Sequence, residues 1–191
     1  MHIFIKMKKP LFQEIEIPEG VKVSIEGTLF KAKGSEGENQ RDFKIGKIDL
    51  EKKGEKIIIG SKKASKKEKK IINTSVAHIK NILQGVQKKF EYELLGCYSH
   101  FPFTIDIEEN GATIKNFLGE KISRKVKFLK GVEVELGKDS NKKIPINVKS
   151  VDRELAGQTA ANFEMATKVR NRDRRVFQDG IFIVNKAGKE I

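Results

Sequence analysis

The segment that decides the fold is residues 65–90, which read SKKEKKIINTSVAHIKNILQGVQKKF. Ser65, with Glu68 three residues later, forms a capping box, in which each side chain accepts a hydrogen bond from the other residue's backbone N–H. Apolar residues then recur at helical spacing at Ile71, Ile72, Val76, Ile79, Leu83, Val86 and Phe90. The pattern predicts one amphipathic helix with a basic back, whose apolar stripe covers a sheet.

Strand patterns precede this helix. Residues 21–26 read VKVSIE and alternate apolar with polar side chains, which is the period of a half-buried strand. Gly27 provides a tight turn into a second strand at 28–33. Further short strands are predicted at 43–50 and 57–59, with a turn at 52–55 between them. The first half therefore consists of several strands followed by one helix.

The second half repeats this order of elements. A hairpin is predicted from strands at 103–107 and 112–117 around the turn Glu109-Asn110-Gly111. A second pair of strands is predicted around Lys130-Gly131, and a further strand leads to the N-cap Ser150. The strands of this part, including a last one after the helix, are expected at 126–129, 132–136, 144–148 and 181–184.

The second helix is expected to end near Lys168. Its buried stripe is predicted at Leu155, Thr159 and Phe163, with Ala156 and Ala160 beside them. Gly157 lies two residues beyond Leu155, roughly 200° around the helix. Two explanations of this glycine are close packing of the helix on its own sheet and close approach of RNA, and the angle favours the second, with Gly157 facing outward.

The repeat of about ninety residues predicts an α+β fold with two similar domains. Each domain is expected to be a small, mainly antiparallel sheet packed against one helix. The domains are predicted at residues 1–90 and 91–191, joined near Gly96, where a strand is expected to end. The first six residues receive no function, because Met7 is compatible with a natural start.

The charge is unevenly distributed. The net charge is +13, and residues 1–90 carry 21 basic and 11 acidic side chains, against 18 and 15 in residues 91–191. Four of the seven arginines lie within residues 168–175, opposed there only by Asp173. Arginine has a planar fork that pairs with phosphate and stacks on bases, so this cluster indicates an anionic partner. The lysine run at 62–70 is equally compatible with a solvated surface and with phosphate contact.

No complete catalytic or metal-binding motif is present in the sequence. Asp106, Glu108 and Glu109 are candidates for the carboxylates of a metal-dependent nuclease, but they lack a partner acid or histidine at a defined spacing. Cys97 and His100 could begin a zinc site, and no second cysteine pair completes it. The apolar runs are too short to span a membrane, and the single cysteine indicates a reducing compartment.

Two C-terminal segments resemble the signature of a known family. Residues 152–162, DRELAGQTAAN, and 172–181, RDRRVFQDGI, closely resemble ribosomal protein L6 of the large subunit, in its archaeal and eukaryotic branch. Supporting matches lie at 17–21, 78–86, 100–102 and 116–121, so the resemblance extends from about Met7 to Lys186.

The resemblance implies a structural, non-enzymatic constituent of the large ribosomal subunit in the cytoplasm. The C-terminal domain is expected on rRNA near the sarcin-ricin loop, and the N-terminal domain toward the stalk base and its neighbouring proteins. No cofactor, metal, membrane or small-molecule substrate is expected. The alternatives are a basic nucleic-acid-processing enzyme, such as a metal-dependent nuclease, and a protein-binding scaffold that uses its exposed sheet edges. The residues expected to contact RNA are Arg153, Gly157, Gln158, Lys168, Arg170, Arg172, Arg174, Arg175, Gln178, Asp179, Gly180 and Lys186.

Overall fold

The computed structural model describes residues 9–43, 46, 48–99, 101–138 and 141–190. The chain divides into two compact units, Met1–Lys88 and Lys89–Ile191. In the described residues each unit contains one α-helix and two antiparallel sheets, which confirms the predicted α+β fold with two similar domains. The six N-terminal residues without an assigned function lie outside the described residues.

The first unit builds its two sheets from six described strands. These are β1 (Lys9–Glu16), β2 (Lys22–Glu26), β3 (Leu29–Lys33), β4 (Glu38–Asp42), β5 (Asp49–Lys53) and β6 (Lys56–Ala64). One sheet has the strand order β1-β6-β5, and the other has the order β2-β3-β4. The predicted hairpin turn at Gly27 is confirmed, because β2 and β3 pair on either side of it.

The strand predicted at 43–50 is largely wrong. Among the described residues of this range, only Asp49 and Leu50 lie in a strand, at the start of β5, whereas Phe43 and Ile48 are buried outside strands and Gly46 lies in a turn. The spacing of the buried apolar residues resembles that of a strand although they lie outside strands. By contrast, β4 has the sequence ENQRD, which does not alternate apolar with polar residues. β4 is a strand because it pairs with β3. The residues of β4 by themselves do not reveal this pairing.

The helix α1 (Lys66–Gln87) begins as predicted. Ser65 is the N-cap, its side chain accepts from the Lys67 backbone N–H, and Glu68 completes the capping box. Two residues of the predicted stripe lie elsewhere: Ile71 is 41% exposed, and Phe90 belongs to the next strand. The residues that α1 buries are Ile72, Ser75, Val76, Ile79, Ile82, Leu83, Gly85 and Val86.

The second unit has eight described strands and one α-helix. They are β7 (Phe90–Cys97), β8 (Thr104–Glu108), β9 (Gly111–Lys115), β10 (Arg124–Lys127), β11 (Val132–Leu136), β12 (Lys143–Ser150), α2 (Arg153–Ala166), β13 (Gly180–Lys186) and β14 (Lys189–Glu190). A three-stranded sheet has the order β10-β9-β8, and a five-stranded sheet has the order β11-β12-β7-β13-β14. The helix α2 packs on both sheets.

Two predicted connections are wrong. The two domains are not joined near Gly96, because Gly96 lies in β7. This strand is the centre of the five-stranded sheet and pairs with β12 and β13. The strands around Lys130-Gly131 do not pair with each other, because β10 pairs with β9 and β11 pairs with β12. At this turn the chain passes from one sheet to the other.

The N-cap of α2 is Asp152 and not Ser150. The Asp152 carboxylate accepts the backbone N–H of Glu154 at 2.8 Å, whereas Ser150 ends β12 and its hydroxyl donates to the carbonyl of Gly131 at 2.8 Å. The buried stripe of α2 consists of Ala156, Thr159, Ala160 and Phe163. Leu155 is only half-buried, so the stripe is rotated relative to the prediction.

Candidate nucleic-acid interface

The arginine cluster lies on the segment between α2 and β13, residues 167–179, which we name the arginine loop. Its basic side chains are all exposed: Lys168, Arg170, Arg172, Arg174 and Arg175. The structure therefore brings five of the predicted RNA-contacting residues together on one connection, with Gln178 also exposed near its end.

Each end of the arginine loop is anchored by a buried side chain, Thr167 or Asp179. At the start, the buried Thr167 hydroxyl accepts the backbone N–H of Ile181 at 2.9 Å and lies 3.2 Å from the carbonyl of Phe163, to which it can donate. At the end, Asp179 is only 7% exposed, and its carboxylate accepts the backbone N–H of Ser99 at 3.0 Å. These hydrogen bonds therefore hold the backbone in place where the loop begins and where it ends.

Contacts inside the loop orient its arginines. The guanidinium of Arg175 donates to the carboxylate of Asp173 at 2.9 Å, and the Arg175 backbone N–H donates to the same group. These hydrogen bonds lower the pKa of the Asp173 carboxyl. The guanidinium of Arg172 lies 5.0 Å from the ring centroid of Phe177, and the Gln178 amide donates to the carbonyl of Arg175 at 3.1 Å.

Arg124 on β10 supports the start of the loop and was not predicted from the sequence. Its guanidinium donates to the carbonyls of Ala166 at 2.8 Å and Lys168 at 2.9 Å, and to both carboxylate oxygens of Glu120 at 2.6 and 2.9 Å. Its charge offsets the partial negative charge of the C-terminal end of α2. Its carbonyl partners are more than 40 residues away in the sequence, so no local pattern reveals this role.

The ion pair of Arg124 is also linked electrostatically to the loop. Hydrogen bonds from Arg124 lower the pKa of the Glu120 carboxyl, and the charges of Arg124, Arg172 and Arg170 act in the same direction. The side chain of Arg124 is 16% exposed, and its guanidinium lies 4.4 Å from the ring centroid of Phe117. Arg124 is therefore a structural cation beneath an exposed group of cations.

The remaining predicted residues lie on α2 and β13. Arg153 and Gln158 are exposed on α2, and the Gln158 amide donates to the side-chain oxygen of Asn162 at 3.1 Å. Lys186 is exposed on β13, whereas Gly180 is buried beneath the ring of Phe182. These residues are therefore distributed outside the arginine loop.

The outward orientation predicted for Gly157 is wrong. A Cβ atom built on Gly157 would lie 3.1 Å from the hydroxyl oxygen of Tyr92, a buried residue of β7. The prediction failed because the half-buried Leu155 does not mark the centre of the buried stripe. Gly157 thus allows α2 to approach its own sheet, and its RNA contact stays a prediction.

One family of known proteins matches the sequence of both units. The sequence model described as Ribosomal protein L6 matches residues 17–89 and 101–180. The chain belongs to the ribosomal protein L6 family. It is 42% identical over 178 residues to the "Large ribosomal subunit protein uL6" of Sulfurisphaera tokodaii, covering 92% of each chain. It is 39% identical over 180 residues to the protein of the same name from Methanothrix thermoacetophila, covering 94% of this chain and 99% of the relative.

The carboxylates suggested for a nuclease are engaged on the surface of this L6-family chain. Asp106 lies 2.8 Å from the ammonium group of Lys115, and Glu108 accepts from the hydroxyl of Thr113 at 3.1 Å. Within the described residues, no group of three or more His, Cys, Asp or Glu side chains could hold a metal ion.

The suggested zinc pair is only partly described. Cys97 is half-buried, and burial raises the pKa of its thiol, whereas His100 lies outside the described residues. Among the helices that the structure describes, none is both long and apolar enough to cross a membrane.

Proposed function

We propose that this chain is a structural, non-enzymatic constituent of the large ribosomal subunit and binds its rRNA mainly through the arginine loop. The single observation that carries the proposal is the loop itself, with five exposed cations between two buried anchors. Phosphate contacts by Lys and Arg provide most of the affinity of proteins for nucleic acids. The names of the two relatives support the large subunit as the site of assembly.

Different residues of the predicted site have different roles in this proposal. Lys168, Arg170 and Arg174 contact phosphates, while Arg172, oriented on Phe177, presents its guanidinium to a phosphate or a base. Exposed residues outside the loop, together with Gln178 within it, extend the contact surface: Arg153, Gln158, Gln178 and Lys186.

Three of the predicted residues are proposed to contribute to RNA binding indirectly, by holding the backbone of the loop or of α2 in position. Asp179 holds the end of the loop through Ser99, and Gly180 admits the ring of Phe182 above it. Gly157 brings α2 close to Tyr92, which positions the exposed residues of that helix. Arg175 contributes both its charge and the bond to Asp173 that shapes the loop.

The proposal also assigns each unit of the chain a position in the ribosome. The C-terminal unit would lie on rRNA near the sarcin-ricin loop, and the N-terminal unit would face the stalk base and its proteins in the cytoplasmic ribosome. The resemblance in the two C-terminal signature segments supports this placement. The nuclease alternative has no comparable support, because Asp106 and Glu108 are engaged with residues of the neighbouring strand β9.

Sedimentation of the native protein tests the function. We expect it to sediment with large subunits at low salt and to be released at high salt, because phosphate contacts are weakened by counterions. Ultraviolet cross-linking of the assembled subunits then locates the contact, with the sarcin-ricin region of the rRNA as the expected site. Sedimentation with small subunits, or none with either subunit, would refute the proposal, and a different cross-linked region would refute only the placement.

A further inference from the structure

A cavity of about 510 Å³ lies beside the arginine loop, between the end of α2 and the start of β13. Its apolar lining includes two aromatic rings, and its polar lining includes two exposed cations. The residues that define it here are Met165, Val169, Phe177, Phe182, Lys168 and Arg174. Its size is within the range of about 300–1,000 Å³ for small-molecule sites in proteins.

The two aromatic rings of the lining are accessible to solvent. Phe182 is 47% exposed, with one part of its ring over Gly180, where an added Cβ would lie 2.9 Å away. Phe177 is half-buried and has the Arg172 guanidinium 5.0 Å from its ring centroid. Exposed rings beside cations are typical of sites that stack unpaired bases and hold the adjoining phosphates.

Two exposed cations and two less exposed carboxylates line the cavity. Lys168 and Arg174 are exposed and line it. The acids in the lining are engaged with backbone donors, because Glu164 accepts from the N–H of Ile183 at 3.2 Å and Asp179 accepts from that of Ser99. The cavity therefore combines an apolar stacking surface with cations at the solvent side.

We infer that this cavity binds one unstacked nucleotide from a single-stranded segment of rRNA. Its base stacks on Phe182 and contacts Phe177, and its phosphate pairs with Lys168 or Arg174. The inference rests on the proposed function and deepens it, because it assigns a base contact to a surface otherwise explained by phosphate contacts alone. Phe182, Phe177 and Met165 then become part of the RNA site.

Paired substitutions at Phe182 separate stacking from simple apolar contact. Phe182→Leu keeps an apolar side chain and removes the ring face, whereas Phe182→Tyr keeps the ring. Filter binding of the full chain to large-subunit rRNA should show a loss of about tenfold for Phe182→Leu. Phe182→Tyr should bind within about twofold of the unchanged protein, because any aromatic face can stack on a base.

The matched control is Phe101→Leu, because Phe101 is also exposed, at 45%, and does not line the cavity. This change should leave the affinity as it is, and the melting temperatures of all variants should remain close to that of the unchanged protein. The salt dependence should also be unchanged in Phe182→Leu, because stacking releases no counterions. Equal binding by Phe182→Leu and the unchanged protein would overturn the inference.

A photoreactive p-benzoylphenylalanine at position 182 identifies the occupant in assembled large subunits. A cross-link to an unpaired rRNA nucleotide is the expected result. A cross-link to a protein, or to paired nucleotides only, would overturn the inference and leave the proposed function intact. If the unchanged chain binds no rRNA at all, the proposed function fails as well.

Discussion

The two basic segments of this chain differ in how their charges are held. The lysine run, residues 62–70, spans the end of β6 and the first turns of α1, and all six of its lysines are exposed. The arginine loop instead has buried anchors and internal bonds that orient Arg172 and Arg175. Side chains that are already oriented lose less conformational entropy on binding. The excess of charge is larger in the first half, so net charge alone does not single out the arginine loop.

The largest expected effect comes from removing charges of the arginine loop, of which Arg172 and Arg175 are oriented by contacts within it. Replacing Arg172, Arg174 and Arg175 by Ala should lower rRNA affinity on the order of 100-fold, because each lost charged hydrogen bond costs about 1.5–3 kcal/mol and the losses are not fully additive. The slope of log affinity against log salt should become shallower by about 2, as expected for three lost phosphate contacts. Filter binding at several salt concentrations measures both quantities.

Two matched triple variants sharpen this comparison. Replacing Lys62, Lys63 and Lys66 by Ala removes the same charge from the lysine run, and we expect a smaller loss of affinity. Replacing the three arginines by Lys keeps the charge and removes the planar forks, so affinity should fall while the salt slope stays constant. Equal losses from the Arg→Ala and Lys→Ala triples would mean that diffuse charge governs binding.

The next effect concerns the support beneath the loop. Arg124→Met keeps an extended apolar side chain but removes the bonds to Glu120, Ala166 and Lys168. The free energy of unfolding should fall by about 2 kcal/mol, because partly buried acceptors lose a charged donor. Chemical denaturation measures this change, and Lys67→Met on the exposed part of α1 is the control, with an expected change within about 0.5 kcal/mol. A similar value for both would assign Arg124 no structural role.

The lowered pKa of Glu120, the acid paired with Arg124, predicts that the free energy of unfolding depends on pH. The pKa of Glu120 is lowered in the folded protein, so the stability gained from its ionised form is complete above about pH 4.3, the usual pKa of glutamate. That stability is lost as the pH falls through the lower, folded-state pKa. Glu120→Gln should therefore be less stable than the unchanged protein at pH 7, and the difference should shrink in acid. A difference that does not shrink at all as the pH falls below about 4.3 would exclude ionisation as its cause.

A smaller effect is expected at the start of α1. Ser65→Ala removes the N-cap acceptor and should lower the free energy of unfolding by about 1 kcal/mol. The affinity of the chain for rRNA should not change, because the arginine loop belongs to the other unit. Ser65→Asp, which keeps a capping acceptor, should restore stability in the same denaturation experiment. A loss of affinity in Ser65→Ala would link the helix carrying the lysines to RNA binding.

The smallest effect is expected at Gly157. Ala favours helix by about 1 kcal/mol over Gly, but its methyl group would crowd the hydroxyl of Tyr92. Gly157→Ala should therefore stabilise the Tyr92→Phe variant more than the unchanged protein, and a double-mutant cycle in melting temperature measures the difference. If rRNA binding persists while Gly157→Ala lowers the melting temperature, packing is the role of this glycine. A loss of binding without a change in stability would instead support its predicted RNA contact.

Local sequence patterns predicted the elements with strong periodicity. The capping box at Ser65, the turn at Gly27 and the hairpin around Asn110 all occur as expected. The predicted resemblance to the ribosomal protein L6 family is confirmed. These features depend on residues a few positions apart or on whole motifs, so no knowledge of the packing is needed.

What only the tertiary structure decided depends on residues distant in the sequence. The strand β7 became the centre of a sheet because β12 and β13 pair with it, and Gly157 turned inward because the buried stripe of α2 follows the sheet beneath it. The sequence alone located the cluster of arginines and its chemistry. Arg124, Thr167 and Asp179 give that cluster its shape through partners that lie between 14 and 80 residues away. Such contacts are selected by packing and hydrogen bonding across the whole unit, so they have no local signature.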